Sequence, residues 1–508
     1  MKSKRVVLLI VLILMVSAFA IGCGDDETGA DNLIVAQNSD ATALDPHATN
    51  DQASARVMRQ IYETLVTQDE NMELQPALAE SWDMVDDLTF EFKLKEGVLF
   101  HNGNEMTAED VKWTFQRAVE SAHIGHIVGA IDAENIEVVD EYTVRISTNE
   151  PFAPLLAHLA HPATAILNQE AVEAYDDEDE YSENPVGTGP FMLESWERGN
   201  EVVLVRFDDY HGNEAGMPKV TFRNISEDVN RTIELETGEI HIAYDILPSD
   251  ISRIEGNEDL ELIRSLNFST VYLGFNAQKE PFDDVRVRQA INYAIDVDTI
   301  IANVMEGSGD VAFGPIGPMV WASNDQLEPY GHNVERAREL LAEAGYEDGF
   351  STTIWTNDNQ LRQDIAEIVQ FELGQIGIEV DIQVLEWGAY LENTAAGEHD
   401  MFILGWVTVT GDPDYGLYAL FHSEQFGAAG NRTFYANDRV DELLDLGRRS
   451  DDPDEREAAY MEVQEIVRDE APWLFLNTGE DRNGIRSNVT GFRNHPAGHH
   501  PLWNVTVE

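Results

Sequence analysis

An α/β protein in two or three lobes is what this sequence predicts, on three observations. The chain has 508 residues, more than one hydrophobic core fills. Residues 354–384 read as a strand, a helix over 361–376 and an alternating strand at Ile378, Val380, Ile382 and Val384, which is a β-α-β unit. Met401-Phe402-Ile403-Leu404 is an unbroken apolar run, the pattern of a strand buried on both faces of a sheet.

That run ends in Gly405-Trp406 and passes into Thr408, Thr410, Gly411, Asp412, Pro413, Asp414 and Tyr415. Polar and aromatic groups therefore gather beyond the carboxyl end of a buried strand, where open α/β sheets hold ligands. No residue here comes with the base and orienting partner of an activated nucleophile, so the expected chemistry is holding rather than cutting. The plainer alternative makes Trp406 and Tyr415 core aromatics beside a Gly-Asp-Pro turn.

An apolar share of 43% with 9% aromatic residues is globular. The formal net charge of −63 repels nucleic-acid phosphates and anionic lipid headgroups, so no nucleic-acid partner is expected. Self-repulsion of that size is tolerable in concentrated salt, where the screening length falls to about 3 Å at 1 M, and a salt-tolerant host is expected. At the amino terminus, Lys2, Lys4 and Arg5 precede an apolar segment over 6–22, too short to span a bilayer comfortably. Positive start, apolar middle and small residues describe an export signal. Cys23 is the only cysteine, so no internal disulfide forms. Its place after Ala20-Ile21-Gly22 resembles a bacterial lipoprotein cleavage box, with Ala20 where Leu is usual; the alternative is an uncleaved anchor with an incidental thiol. The acidic residues before Asp31 form a tether.

Taken in order, 33–36 is a first strand, Leu44-Asp45-Pro46-His47 turns the chain, and Asn50 or Asp51 caps a helix with Val57, Ile61 and Leu65 in line. Leu88, Phe90, Phe92 and Leu94 alternate in a half-buried strand paired with 82–85 across Asp86-Asp87. Thr107 caps a helix, with Asp110 completing a weaker capping box. The acidic run 176–180 is a solvated loop. Gly187, Gly189 and Pro190 suit a tight crossing that needs special backbone angles. Asp283 or Asp284 caps a helix over 285–295, and Asn333 and Gly345 bracket another over 334–344. A helix from Tyr390 leads into the Met401 strand, and the last thirty or so residues return to the first lobe. Metalloprotease, phosphate-loop and nucleophile-elbow motifs are missing from the sequence. His495, His499 and His500 bind a transition metal if they converge; otherwise they are a solvated tail.

Five blocks carry a family resemblance. Ala79-Glu80-Ser81-Trp82 with Gly97-Val98-Leu99-Phe100-His101-Asn102-Gly103 and Thr107-Ala108-Glu109-Asp110-Val111-Lys112 comes first. Asn184-Pro185-Val186-Gly187-Thr188-Gly189-Pro190-Phe191, Leu273-Gly274-Phe275-Asn276 with Pro281 to Ala290, the Gly405-Trp406 region and Glu470-Ala471-Pro472-Trp473 follow in order. Together they resemble the family 5 extracellular solute-binding proteins, the peptide, glutathione and nickel receptors of ABC importers, over nearly the whole chain from residue 33. The resemblance implies a bilobal periplasmic-binding-protein-like α/β fold of type II with an extra domain. Its expected division is a signal at 1–22, a tether at 23–31, a first lobe from 32–70, 187–268 and 479–508, a second domain at 71–186 and a second lobe at 269–478. It also implies a lipid-tethered monomer outside the cytoplasmic membrane that closes on a short peptide and serves a permease and an ATPase, without a cofactor or a bound metal.

Peptide-binding relatives place an acidic residue three positions after this Trp to pair with the peptide amine; here Val409 stands there. The Gly405 to Asp412 stretch, Phe421-His422-Ser423-Glu424-Gln425, the 44–52 loop and 71–75 resemble the glutathione-binding branch most. Trp406 and Tyr415 are then site aromatics. Asp412 or Asp414 takes over the amine, Arg432 pairs with a carboxylate in fork geometry, and Asn50 and Gln52 touch the ligand backbone. The alternatives are a nickel-chelate receptor using Trp406 and His422, and a secreted hydrolase using Asp412 and Asp414. For Arg432 the alternative is a structural ion pair.

Overall fold

The computed structural model describes residues 31–175 and 178–508. The export segment, Cys23 and the tether up to residue 30 lie outside the described residues, as does the start of the acidic run at 176–180. Among the described residues no helix is long and apolar enough to cross a membrane.

One eleven-stranded mixed sheet organises the chain. From one edge its strands are Ile378–Leu385, Phe350–Asn357, Met401–Val407, Leu260–Phe275, Trp473–Arg486, Ile242–Ala243, Asn32–Gln37, Lys219–Asn224, Glu201–Arg206 and Phe191–Glu197; Asp310–Val311 branches onto Trp473–Arg486. The two central strands make this continuity. Leu260–Phe275 has 16 residues and spans roughly 50 Å at the usual rise, enough to serve both lobes. It pairs antiparallel with Trp473–Arg486 from Leu260↔Arg486 to Gly274↔Trp473, and its register slips between Leu266 and Thr270. A slip of this kind bends a strand and takes residues out of the ladder, here Asn267 to Ser269, which have no register partner on Trp473–Arg486. Gly479 lies opposite, where a Cβ would sit 1.7 Å from the Ser269 Oγ, so only glycine lets the strands close there.

In the second lobe Phe350–Asn357 and Ile378–Leu385 pair in parallel, joined by the crossover helix Gln360–Gln375. Met401–Val407 lies between Leu260–Phe275 and Phe350–Asn357, so its first four residues are buried, as an unbroken apolar run requires. Tyr272 stacks on Trp473 beneath it, with centroids 3.5 Å apart and planes within 4°. Residues 79–147 form a separate four-stranded antiparallel sheet, Ala79–Asp86, Thr89–Leu94, Thr143–Ser147 and Glu137–Asp140. The helix Ala108–Ala118, with its Thr107–Asp110 capping box, covers a core of Phe92, Phe100, Val111 and Phe115.

Three local expectations need correction. The helix capped by Asp51 ends at Ile61, because Tyr62 turns extended and its hydroxyl donates to the Leu44 carbonyl; Leu65 lies beyond it. Gly187 and Gly189 do not sit at positive φ; they are small because a Cβ on either would come within 2.1 to 2.6 Å of the Ile61 carbonyl oxygen. His495, His499 and His500 are no solvated tail: all three are buried, and His500 accepts from the His495 backbone N–H at 2.9 Å.

Candidate functional site

A cavity of about 290 Å³ opens between the lobes, close to the small end of ligand pockets. The first lobe contributes Asn50 and Gln52 from the start of the helix Gln52–Ile61, with Arg56 one turn on and Asp245. The second contributes the exit of the Met401–Val407 strand (Gly405, Trp406, Val409), Tyr415 and Arg432, together with Asn357, Arg362 and Trp387. Asn267 and Asp481, at the bulged waist, line it as well. Trp387 Nε1 donates to the Asp51 carboxylate at 3.3 Å, and Gln68 Nε2 to the Thr410 carbonyl at 2.8 Å. Both bonds bridge parts of the chain more than 300 residues apart.

Five residues expected from the sequence thus meet at one cavity: Asn50, Gln52, Trp406, Tyr415 and Arg432. Trp406 keeps an indole N–H without a hydrogen-bond partner, and its ring lies 5.1 Å from Tyr415. Tyr415 is also a core aromatic, 4.8 Å from the His161 ring, so both readings of it hold at once. Gln52 Nε2 is committed to the Ala497 carbonyl at 3.0 Å, while Asn50 Nδ2 has no partner. Val409 lines the cavity where an acidic residue would have stood.

Asp412 and Asp414 do not line it, and the expectation that one of them receives an amine needs correction. Asp412 caps the helix Pro413–Phe421 and pairs with Arg456 at 2.8 Å. Asp414, 1% exposed, holds Arg448 at 3.1 Å and His158 Nε2 at 3.1 Å. Burial alone would raise its pKa, but Arg448 and His158 hold it below the usual carboxylate range. Both carboxylates are occupied by guanidinium groups from the helices that follow in sequence. His422 also stays outside the lining; its ring stacks on Tyr418 at 4.4 Å and its Nδ1 accepts from the Glu424 backbone.

The cavity is cationic in an otherwise acidic molecule. Arg56 pairs with Asp245 at 2.9 Å; burial opposes that charge, and the guanidinium nonetheless holds Asp245 well below the usual range. Arg362 donates to Asn357 Oδ1 at 2.9 Å and lies 5.6 Å over the Trp387 ring. Arg432 is 6% exposed, its Nε has no hydrogen-bond partner, and no carboxylate among the described residues pairs with it. Burial pushes the pKa of both Arg362 and Arg432 down; around Arg362 the neighbouring Tyr390, Tyr272, Asp245 and Asp358 oppose it, and around Arg432 only the Tyr272 and Tyr390 hydroxyls do. The structural ion pair weighed as the alternative for Arg432 is therefore not there. Arg362, Trp387, Asp245 and Asp481 were not read from the sequence. Asn357 and Arg362 follow the end of a parallel strand, the same signal that marked Trp406; Asp481 carries no local signal.

A family model described as "Bacterial extracellular solute-binding proteins, family 5 Middle" matches residues 73–428. The chain belongs to this family. Its relatives include the glutathione-binding protein GsiB of Escherichia coli strain K12, 34% identical over 475 residues that cover 91% of this chain and 92% of that protein. Among solved structures, the periplasmic binding protein DppA from Helicobacter pylori in complex with the peptide STSA is 33% identical, with a TM-score of 0.90 over 94% of this chain and 98% of that one. The oligopeptide-binding protein AppA from Bacillus subtilis in complex with a nonapeptide is 27% identical, with a TM-score of 0.88 over 94% and 99% of the two chains. The fold is thus the bilobal α/β fold of type II periplasmic binding proteins. Family members are extracellular solute-binding receptors rather than enzymes, so the hydrolase alternative is set aside. The chain is the substrate-binding component of an ABC importer of the peptide and nickel class.

Proposed function

We propose that this chain captures short peptides of the glutathione type in the interlobe cavity and delivers them to its permease from a lipid anchor at Cys23. One observation carries the reading. Trp406 Nε1, Arg432 Nε, Asn50 Nδ2 and Asp481 Oδ2 are buried without a hydrogen-bond partner, and all four residues line the same cavity. Such a group costs about 1–3 kcal/mol when left unmet, so four around one chamber mark a polar guest. Arg432 and Arg362 receive its carboxylates, Asn50 and Trp406 its backbone carbonyls, and the Tyr415 and Trp387 rings its apolar stems. The resemblance to GsiB at 34% identity and to the peptide-bound DppA at 33% supports glutathione or another short peptide as the guest. Closure runs about the bulged strands, between a first lobe of 32–70, 187–268 and 479–508 and a second of 269–478, with 71–186 as the extra domain.

The test is a thermal-shift series in molar salt with glutathione, dipeptides, longer peptides and nickel. A ligand at a hundredfold over its Kd stabilises the folded state by about 2.7 kcal/mol. Glutathione or an acidic peptide is expected to raise Tm and be recovered intact. A rise with nickel alone would move the reading to a metal-chelate receptor, against the placement of His422 outside the lining.

A further inference from the structure

With Val409 apolar and both Asp412 and Asp414 occupied, the cavity still contains one carboxylate oxygen that no hydrogen-bond donor meets, while Asp51 is met by Thr42, Thr49, Ser54 and Trp387. Asp481 lies on the long strand Trp473–Arg486, opposite Ser265 and next to the bulge. It is 4% exposed; its Oδ1 accepts from Asn267 Nδ2 at 2.7 Å and its Oδ2 has no partner. Each cation close to it turns its hydrogen bonds elsewhere. Arg56 is taken by Asp245 through two hydrogen bonds of 2.9 and 3.3 Å. Arg482 turns its guanidinium to the Ile246 carbonyl at 2.9 Å and the Glu480 carbonyl at 3.3 Å. Arg264, on the neighbouring strand, is held by the Glu480 carboxylate at 2.7 Å.

We propose that Asp481 is the ammonium-binding residue of this receptor, replacing the acidic anchor lost at Val409 and selecting peptides with a free amine. The inference rests on the peptide reading above and deepens it. One carboxylate with an oxygen that no donor meets and three guanidinium groups that pair with no carboxylate, Arg362, Arg432 and Arg482, line one cavity. The ligand class they fit carries an ammonium together with carboxylates, as γ-glutamyl and other acidic short peptides do. Buried among these groups, the Asp481 carboxyl is pushed up to about 7, first by desolvation and further by the nearby Asp245 charge, against the pull of Asn267, Arg56 and Arg482. It therefore holds a proton over part of the neutral range until an ammonium arrives, and the proton then leaves to the buffer.

The experiment is calorimetric titration of the full-length protein in molar KCl near pH 6.5, in two buffers of different ionisation enthalpy, with glutathione and with N-acetylated glutathione. Glutathione is expected to bind at least tenfold tighter than the acetylated probe and to release a proton; the acetylated probe releases none. Asp481→Asn is expected to bring the two affinities within threefold of each other and to abolish the release, and Asp481→Ser to do the same if the amide disturbs the bulge. Asp481→Asn with discrimination and proton release intact overturns the assignment. So does an unmutated protein that binds both probes equally, although that result leaves the peptide-receptor reading in place. Binding of neither probe removes the peptide reading and this inference together.

Discussion

Two pairs of charged residues around the cavity differ in how they stand in the sequence and, in the opposite sense, in how they stand in the folded chain. Asp412 and Asp414 sit in an inviting turn just past the strand, yet both are locked to guanidinium groups, Arg456 and Arg448, from the helices behind them. Arg432 and Asp481 line the cavity, and each keeps a buried polar atom without a hydrogen-bond partner. The difference teaches that residue type and position past a strand nominate a charge, whereas the state of its partners decides its role. A carboxylate held by an arginine in the same lobe serves the fold. A charge desolvated at the cavity wall without an opposite one or a full set of hydrogen bonds is, on the proposal above, one whose cost a ligand recovers.

The largest effect expected from this contrast is on stability. Asp414→Asn leaves Arg448 and His158 buried without their counter-charge, and loss of one partner of a buried pair costs about 3–5 kcal/mol. Urea unfolding in molar salt reads that loss, while the affinity of the folded fraction for glutathione stays within threefold. A large fall in affinity at unchanged stability would place Asp414 with the ligand and erase the contrast.

An effect of similar size, with a definite pH window, belongs to Asp481. Its folded-state pKa is raised to about 7, so its ionisation opposes folding. Below the ordinary carboxylate range both states are protonated and nothing is lost. As pH rises towards 7 the unfolded chain ionises first, and stability falls by about 1.4 kcal/mol for each unit crossed. Asp481→Asn is therefore expected to match the unmutated protein near pH 4, gain on it up to about pH 7 and keep a constant lead above. Parallel Tm–pH curves without ligand check this; curves that never diverge would show an Asp481 carboxyl at home in water.

Much of the fold was legible because local signals agreed with the final packing. Asn333 and Gly345 bracket the helix Val334–Ala344 as cap and left-handed stop, and the alternation at 378–384 became a strand beside its β-α-β partner. The helix after Asp51 was read one turn too long, since Leu65 kept the periodicity while Tyr62 left it. In the site, Trp406 and Arg432 could be named from the strand exit and from the family resemblance. Asp481 could not: it lies in a Gly-Glu-Asp-Arg stretch with no pattern, and reaches the cavity only because two strands some 200 residues apart pair and slip by the bulge at Asn267. The partners of Asp412 and Asp414 were hidden by distance along the chain too, 44 and 34 residues further on.

The most direct measurement is calorimetric titration of glutathione into Arg432→Ala beside the unmutated protein in molar KCl. Removing a buried guanidinium that has no counter-charge should leave the urea midpoint unchanged or higher. It should also weaken glutathione at least tenfold, the loss of a charge-assisted hydrogen bond worth about 1.5–3 kcal/mol. An unchanged affinity, or a fall in stability with affinity preserved, would contradict the claim that unpartnered charges at the interlobe wall hold the ligand.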